Sequence, residues 1–282
     1  MQEEATLRKS VVVLACTVAA MAAATLTPAA ASAWAPAGSA TIHPGVMTFT
    51  NGAQCTSNFV FTDGSNVYLG QAAHCSGTGA ATDTNGCDSH SLPIGTPVEV
   101  TGANKPGTLV YNSWITMQAR GETNANACAY NDLALVKINP ADVSKVNPSV
   151  PGFGGPTGVG TVGGLGSTVY SYGNSELRGG VTKLSPKQGV IVQNQGNGWS
   201  HNVYTATPGV PGDSGSGFMN ASGKAIGVLS TVELAPAPGS NNFGDITKEI
   251  AYMHANSSFA GAHLVAGTKP FNPSLVSAIL GS

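Results

Sequence analysis

At 282 residues the chain is long for one domain and usual for two β units built on one cleft. Charged residues make up only 9% and the formal net charge is −2, which leaves no basic field for nucleic acid. Abundant Gly (37) and Pro (17) favour short strands and many turns over helices, and 41% hydrophobic content is ample for a core.

Residues 1–33 read as a secretory signal peptide. Arg8 and Lys9 give a positive start, residues 10–26 are uncharged and apolar or small, Pro28 breaks the run, and Ala31-Ser32-Ala33 fits a cleavage site before Trp34. The run is rich in Ala and Thr and falls short of the ~20 apolar residues of a membrane span. Val13-Leu14-Ala15-Cys16 has too little apolar sequence before it for a lipoprotein box. Export is therefore expected, to a secreted, extracellular product. With Cys16 removed, Cys55, Cys75, Cys87 and Cys128 remain, an even number suited to an oxidising compartment and open to three pairings.

Residues 34–47 are rich in Pro, Gly and Ala and read as an N-terminal arm or short pro-segment. Asn58-Phe59-Val60-Phe61-Thr62 and Val67-Tyr68-Leu69-Gly70 then flank the turn Asp63-Gly64-Ser65-Asn66, a hairpin signature. The second strand delivers Gln71-Ala72-Ala73-His74-Cys75, setting His74 on a turn just past a strand end. In the following loop, Asp83, Asn85 and Asp88 lack the ordered spacing of a calcium site. Residues 98–100 and 108–117 read as strands. Asp132 opens the apolar run Leu133-Ala134-Leu135-Val136, which draws its carboxylate into a dry setting that demands a partner; His74 is the candidate.

Residues 140–166 read as a linker. Strands are expected at 167–172, 180–184, 189–192 and 203–206, with a turn at Asn197-Gly198. Residues 216–219 and 225–230 form a further hairpin around Asn220-Ala221-Ser222-Gly223. In the tail, Asp245 caps a helix through His254, and Asn272-Pro273 begins another to Leu280.

The second β unit delivers Gly212-Asp213-Ser214-Gly215-Ser216-Gly217. Gly-Asp-Ser-Gly alone is a common turn composition. Here, however, glycines on both sides let the backbone approach a substrate, and the N–H groups of Gly212 and Ser214 can point at one spot to stabilise an oxyanion. A serine nucleophile also needs a base and an orienting carboxylate, and His74 and Asp132 supply both.

Ala-Ala-His-Cys at His74, Asn-Asp-Leu-Ala-Leu at Asp132 and Gly-Asp-Ser-Gly at Ser214, in that order, resemble the signatures of chymotrypsin-fold (trypsin-like) serine proteases of the bacterial secreted type. The signatures span residues 74–217, and compatible strand patterns cover 48–232. The resemblance implies an all-β fold of two six-stranded antiparallel β-barrels with a short C-terminal helical tail. Residues 48–145 would hold His74 and Asp132, and residues 146–282 would hold Ser214. It implies a secreted serine endopeptidase, a monomer acting on protein or peptide substrates through an acyl-enzyme, with no cofactor, no metal, no nucleic acid and no membrane association after signal removal. It also places a bridge beside the histidine, Cys55–Cys75, which leaves Cys87–Cys128.

The chain departs from the family in three places. The residue matching Asp213 often pairs with a freshly cut Ile-Val-Gly-Gly-like terminus; none is present, so Arg178 is the candidate cation. No cysteines bracket Ser214. The position of the tryptic pocket acid is Pro208, and residues 228–232 lack the histidine of glutamate-selective relatives, leaving a small or apolar preference.

Three rival readings fit less well. An α/β-hydrolase would need G-x-S-x-G, which fails because residue 216 is Ser. Zinc would need C-x-x-C or paired histidines. A catalytically silent or latent secreted binding protein on the same scaffold would be expected to lose a triad member, and none is lost.

Overall fold

The computed structural model describes residues 34–80, 83–232 and 239–281; the expected signal peptide, with Cys16, lies outside them. Seven strands build the first half: β1 (Met47–Thr50), β2 (Ala53–Thr56), β3 (Val60–Thr62), β4 (Val67–Ala72), β5 (Pro97–Val100), β6 (Gly107–Asn112) and β7 (Leu133–Lys137). Two helices, α1 (Ser113–Arg120) and α2 (Ala125–Tyr130), lie between β6 and β7. The second half holds β8 (Thr168–Tyr172), β9 (Pro186–Gln195), β10 (Ser200–Thr205), β11 (Gly217–Asn220), β12 (Ala225–Val232) and β13 (Asn241–Asp245). The tail forms α3 (Ile246–Asn256), β14 (His263–Leu264) and α4 (Leu275–Leu280).

Strands β8–β13 close into a six-stranded antiparallel barrel in the order β10-β13-β12-β11-β8-β9. The first half instead forms an eight-stranded sheet, β14-β3-β4-β7-β6-β5-β1-β2. It differs from the expected six strands partly because the tail returns and pairs His263 and Leu264 with Thr62 and Phe61 of β3. Phe59, Phe61, Leu135, Phe153, Tyr170 and Met219, drawn from both halves, pack in one shared core. Burying each such side chain fully contributes about 1.5–3 kcal/mol. Among the described residues, no helix is long and apolar enough to cross a membrane.

Two sequence expectations are corrected. The strand expected over 108–117 stops at Asn112, whose side chain accepts the N–H groups of Trp114 and Ile115 and starts α1. Gly121, at φ +63°, ends that helix. Residues 180–184 form no strand: Gly179 and Gly180 take positive φ, a single tight turn follows at Thr182–Leu184, and the strand begins at Pro186. The segment before β1 runs along residues 145–147. There Ala35 N donates to Val146 O (3.0 Å), Asn147 Nδ2 donates to Ala35 O (2.6 Å), and Ile42 and Val46 are buried.

Candidate active site

His74 and Asp132 meet because of strand register. β4 and β7 are antiparallel with Ala72 opposite Leu133, so the residue before Leu133 faces the turn after Ala72. Ala73 N donates to Asp132 O (2.8 Å), and His74 N donates to Asp132 Oδ1 (2.9 Å). His74 Nδ1 stands 2.7 Å from Asp132 Oδ2. The Cys55–Cys75 disulfide anchors the same turn to β2, and Cys87–Cys128 ties the following loop to α2, just ahead of Asp132.

The Asp132 side chain is only 3% exposed, so its charge must be satisfied internally. A third donor does this: Ser230 Oγ donates to Oδ2 at 2.6 Å. Ser230 lies where the β12–β13 register shifts between Leu229 and Thr231, a bulge that aims its hydroxyl at the other half. Burial disfavours charge on His74, but the Asp132 carboxylate, by its charge and its hydrogen bond, outweighs this and raises the imidazole pKa above 6.5.

Behind Asp132, its main-chain N–H donates to Oε1 of Glu249 (2.9 Å), a fully buried carboxyl on α3. Burial raises the Glu249 pKa well above the usual carboxyl value; the Asp132 N–H lowers it, and the charges of Asp132 and Asp245 raise it further. Sequence reading missed Ser230 and Glu249. Neither sits in a motif, and both act through packing between distant elements.

Ser214 follows one turn and lies within the next. Asp213 N donates to Val210 O (2.9 Å) and Ser216 N donates to Asp213 O (3.1 Å), with Gly212 and Gly215 at φ +94° and +88°. A Cβ on Gly215 would stand 2.6 Å from Thr56 O and 2.8 Å from Ala72 N, so only glycine lets this loop lie against β2 and β4. Thr56 N donates to Ser214 O (2.8 Å), and Gly215 N donates to Leu229 O (2.7 Å), next to Ser230. The loop of the nucleophile candidate is thereby fixed against β2 and against β4, the strand that leads into His74. Among the described residues, however, no hydrogen bond joins the Ser214 hydroxyl to the His74 ring, and no acceptor receives the N–H of Gly212 or Ser214.

Asp213 is fully buried and faces two cations. Arg178 Nη2 pairs with its Oδ2 and donates to Pro208 O (2.9 Å). Lys187 Nζ, also fully buried, lies 3.0 Å from the same oxygen and donates to Thr207 O (3.1 Å). Burial pulls the Lys187 pKa down to about 8; the Asp213 charge resists this and Arg178 adds to it. Lys187 escaped sequence reading because a lysine in a polar β-strand gives no sign of facing inward. Cys55, His74 and Cys75 cluster as metal ligands would, but both sulfurs are consumed by their disulfide.

The sequence matches no protein-family profile and no curated protein. Solved structures do match. Thermobifida fusca Protease A shares 20% identity at a TM-score of 0.50, over 80% of this chain and 99% of its own. The chain has the fold of the bacterial chymotrypsin-like serine proteases. Cellulomonas bogoriensis chymotrypsin (18%, TM-score 0.48) covers 80% of this chain and 98% of its own. A serine protease specific for glutamic acid (16%, TM-score 0.49) covers 79% and 100%.

Proposed function

We propose that this chain is a secreted serine endopeptidase using Ser214, His74 and Asp132. The observation that carries the reading is the buried Asp132 carboxylate, whose three donors include His74 Nδ1 at 2.7 Å. The first of those donors is the His74 main-chain N–H and the third is the Ser230 hydroxyl. In this reading the Nδ1 proton points toward Asp132 and Nε2 is the base. His74 takes the Ser214 proton as Oγ attacks the peptide carbonyl, then hands it to the leaving amine as the acyl-enzyme forms. Water repeats the sequence and releases the acid. Asp132 holds the tautomer and stabilises the imidazolium, consistent with its effect on the His74 pKa. The free N–H groups of Gly212 and Ser214 suit the oxyanion.

Two disulfides support an extracellular setting. Discrimination against Lys or Arg before the scissile bond is supported at Pro208: its carbonyl accepts from Arg178 and Lys187, so the neighbourhood offers cations, and Asp213, the nearby acid, is already paired. The small or apolar preference in this reading comes by elimination.

The test is fluorophosphonate labelling of the protein, with Ser214→Ala as control. Labelling that disappears in the variant supports the reading; an unlabelled wild type would leave a silent or latent binding scaffold. Because the pKa of His74 is raised, the labelling rate should climb with pH through a midpoint above 6.5. A flat profile between pH 5 and 8 would remove His74 as the base.

A further inference from the structure

The two N–H groups assigned to the oxyanion belong to the peptide units Pro211–Gly212 and Asp213–Ser214. A trans peptide is planar, with N–H and C=O pointing in opposite directions, so whatever holds the carbonyl aims the amide. The carbonyl of Asp213 accepts from Ser216 N (3.1 Å) within the turn itself. The intervening carbonyl of Gly212 accepts from Gln54 Nε2 (3.0 Å) and Thr56 Oγ1 (2.8 Å), both on β2 of the other half. The carbonyl of Pro211 is held by Ser175, whose hydroxyl donates to it at 2.5 Å.

The last of these contacts carries the inference. Residues 210–213 form a turn closed by Asp213 N and Val210 O, with Pro211 and Gly212 at its centre. Gly212 at φ +94° gives it the type II form. Type I and type II turns differ by reversal of the central peptide, here Pro211–Gly212. Proline is compatible with both forms, and glycine takes either sign of φ without penalty. The backbone alone therefore allows a flip that would turn the Gly212 N–H away from the cleft.

We propose that Ser175 is a positioning residue that locks the Pro211–Gly212 peptide, so that the Gly212 N–H faces the oxyanion. This deepens the serine-peptidase reading and rests on it. Ser175 is 2% exposed, so water competes poorly for the Pro211 carbonyl. Its oxygen also accepts from Leu177 N (3.1 Å), starting the short turn Glu176–Arg178 that brings Arg178 to Asp213. One hydroxyl thus joins the oxyanion peptide to the segment carrying the Asp213 counter-ion. Its single proton is committed to Pro211 and one of its two lone pairs to Leu177.

The experiment compares wild type, Ser175→Ala and Ser175→Thr. Measured are the second-order rate of fluorophosphonate labelling, and kcat and KM on a peptide p-nitroanilide with an apolar residue before the scissile bond. Losing one oxyanion donor slows acyl transfer by about 10²–10³-fold, and a donor that is disordered rather than deleted should lose part of that. The Ala variant is therefore expected to lose about 10–100-fold in labelling rate and kcat, with KM within about twofold and the pH midpoint of labelling unchanged, because His74 and Asp132 are untouched. Thr keeps the hydroxyl and should recover most of the rate. If Ala does not fold, Ser175→Val against Ser175→Thr isolates the hydroxyl at equal shape. Equal rates with and without the hydroxyl in a labelled protein would overturn the role of Ser175 alone. An unlabelled wild type would overturn the peptidase reading, and this inference with it.

Discussion

The two halves of the candidate site are held by different physics. The half carrying His74 and Asp132 is covalently braced: one disulfide ends at the residue after His74, and the other ends four residues before Asp132. The half carrying Ser214 has no disulfide. It is held by a buried ion cluster of Arg178, Lys187 and Asp213 and by hydrogen bonds from Gln54, Thr56 and Ser175. A disulfide acts mainly by restricting the unfolded chain, and it does not depend on pH or salt. A buried ion cluster works only while complete, because removing one member leaves a charge without water or partner. The first half should therefore fail on reduction, and the second on any change of charge.

The largest expected effect separates catalysis from stability. Asp132→Asn keeps shape and burial but offers His74 an amide in place of a carboxylate, so the wrong tautomer becomes available. By analogy with other triads, kcat should fall about 10⁴-fold while the fold survives. A loss below tenfold would show that His74 is oriented by something else.

Asp213→Asn attacks the other half. It leaves Arg178 and Lys187 facing a neutral amide in a site where Lys187 is fully buried, and breaking such a cluster costs about 3–5 kcal/mol. Urea unfolding should read that loss, and labelling of Ser214 should fall with it because the same loop carries the amides proposed for the oxyanion. Unchanged stability would mean that the cluster is hydrated in solution.

Replacing Cys55 and Cys75 together by Ala is expected to cost less. A closed loop with a sequence separation of 20 corresponds to about 3 kcal/mol. Amide exchange should rise around β2 and His74 first while the closed barrel keeps its protection. Uniform loss of protection would indicate that the two halves unfold as one and that the contrast between them has no energetic meaning.

What could be read in advance follows the same division. His74, Asp132 and Ser214 sit in short contiguous patterns whose local chemistry is self-explanatory, so the sequence offers them directly as candidates. Arg178 could be reached because Asp213 required a cation and few were available. Ser230, Glu249, Lys187 and Ser175 could not. Ser230 is aimed by a bulge, Glu249 by the docking of α3, and Lys187 by barrel closure, none of which leaves a periodic trace. The same holds for folds within the chain. Asn112 ended an expected strand through its side-chain cap, and the returning tail added an edge strand no local pattern signals. Buried Asn241 and Asn242 hid β13, because their side chains are satisfied by Gly209 on one face and by Ser200 and Asn202 on the other rather than by water.

The smallest effect tests whether Glu249 links the tail to the braced half through a neutral carboxyl. Its Oε1 accepts the Asp132 N–H, and it faces Asp132 and Asp245, so a negative charge there is opposed by burial and by both neighbours. A carboxyl whose pKa is raised by folding holds a proton that the unfolded chain releases. Its contribution to stability is therefore full below the unfolded value near 4.5 and is lost as pH rises through the folded value. Glu249→Gln keeps an acceptor for Asp132 and cannot titrate. The stability of the variant relative to wild type should climb with pH above 4.5, by at most about 1.4 kcal/mol per pH unit, then level off once wild-type Glu249 ionises. Urea unfolding from pH 4.5 to 9 measures this difference, and titrations shared by the two proteins cancel in it. Parallel curves would mean that Glu249 is ionised in both states. The proposed triad would then stand beside a second permanent negative charge.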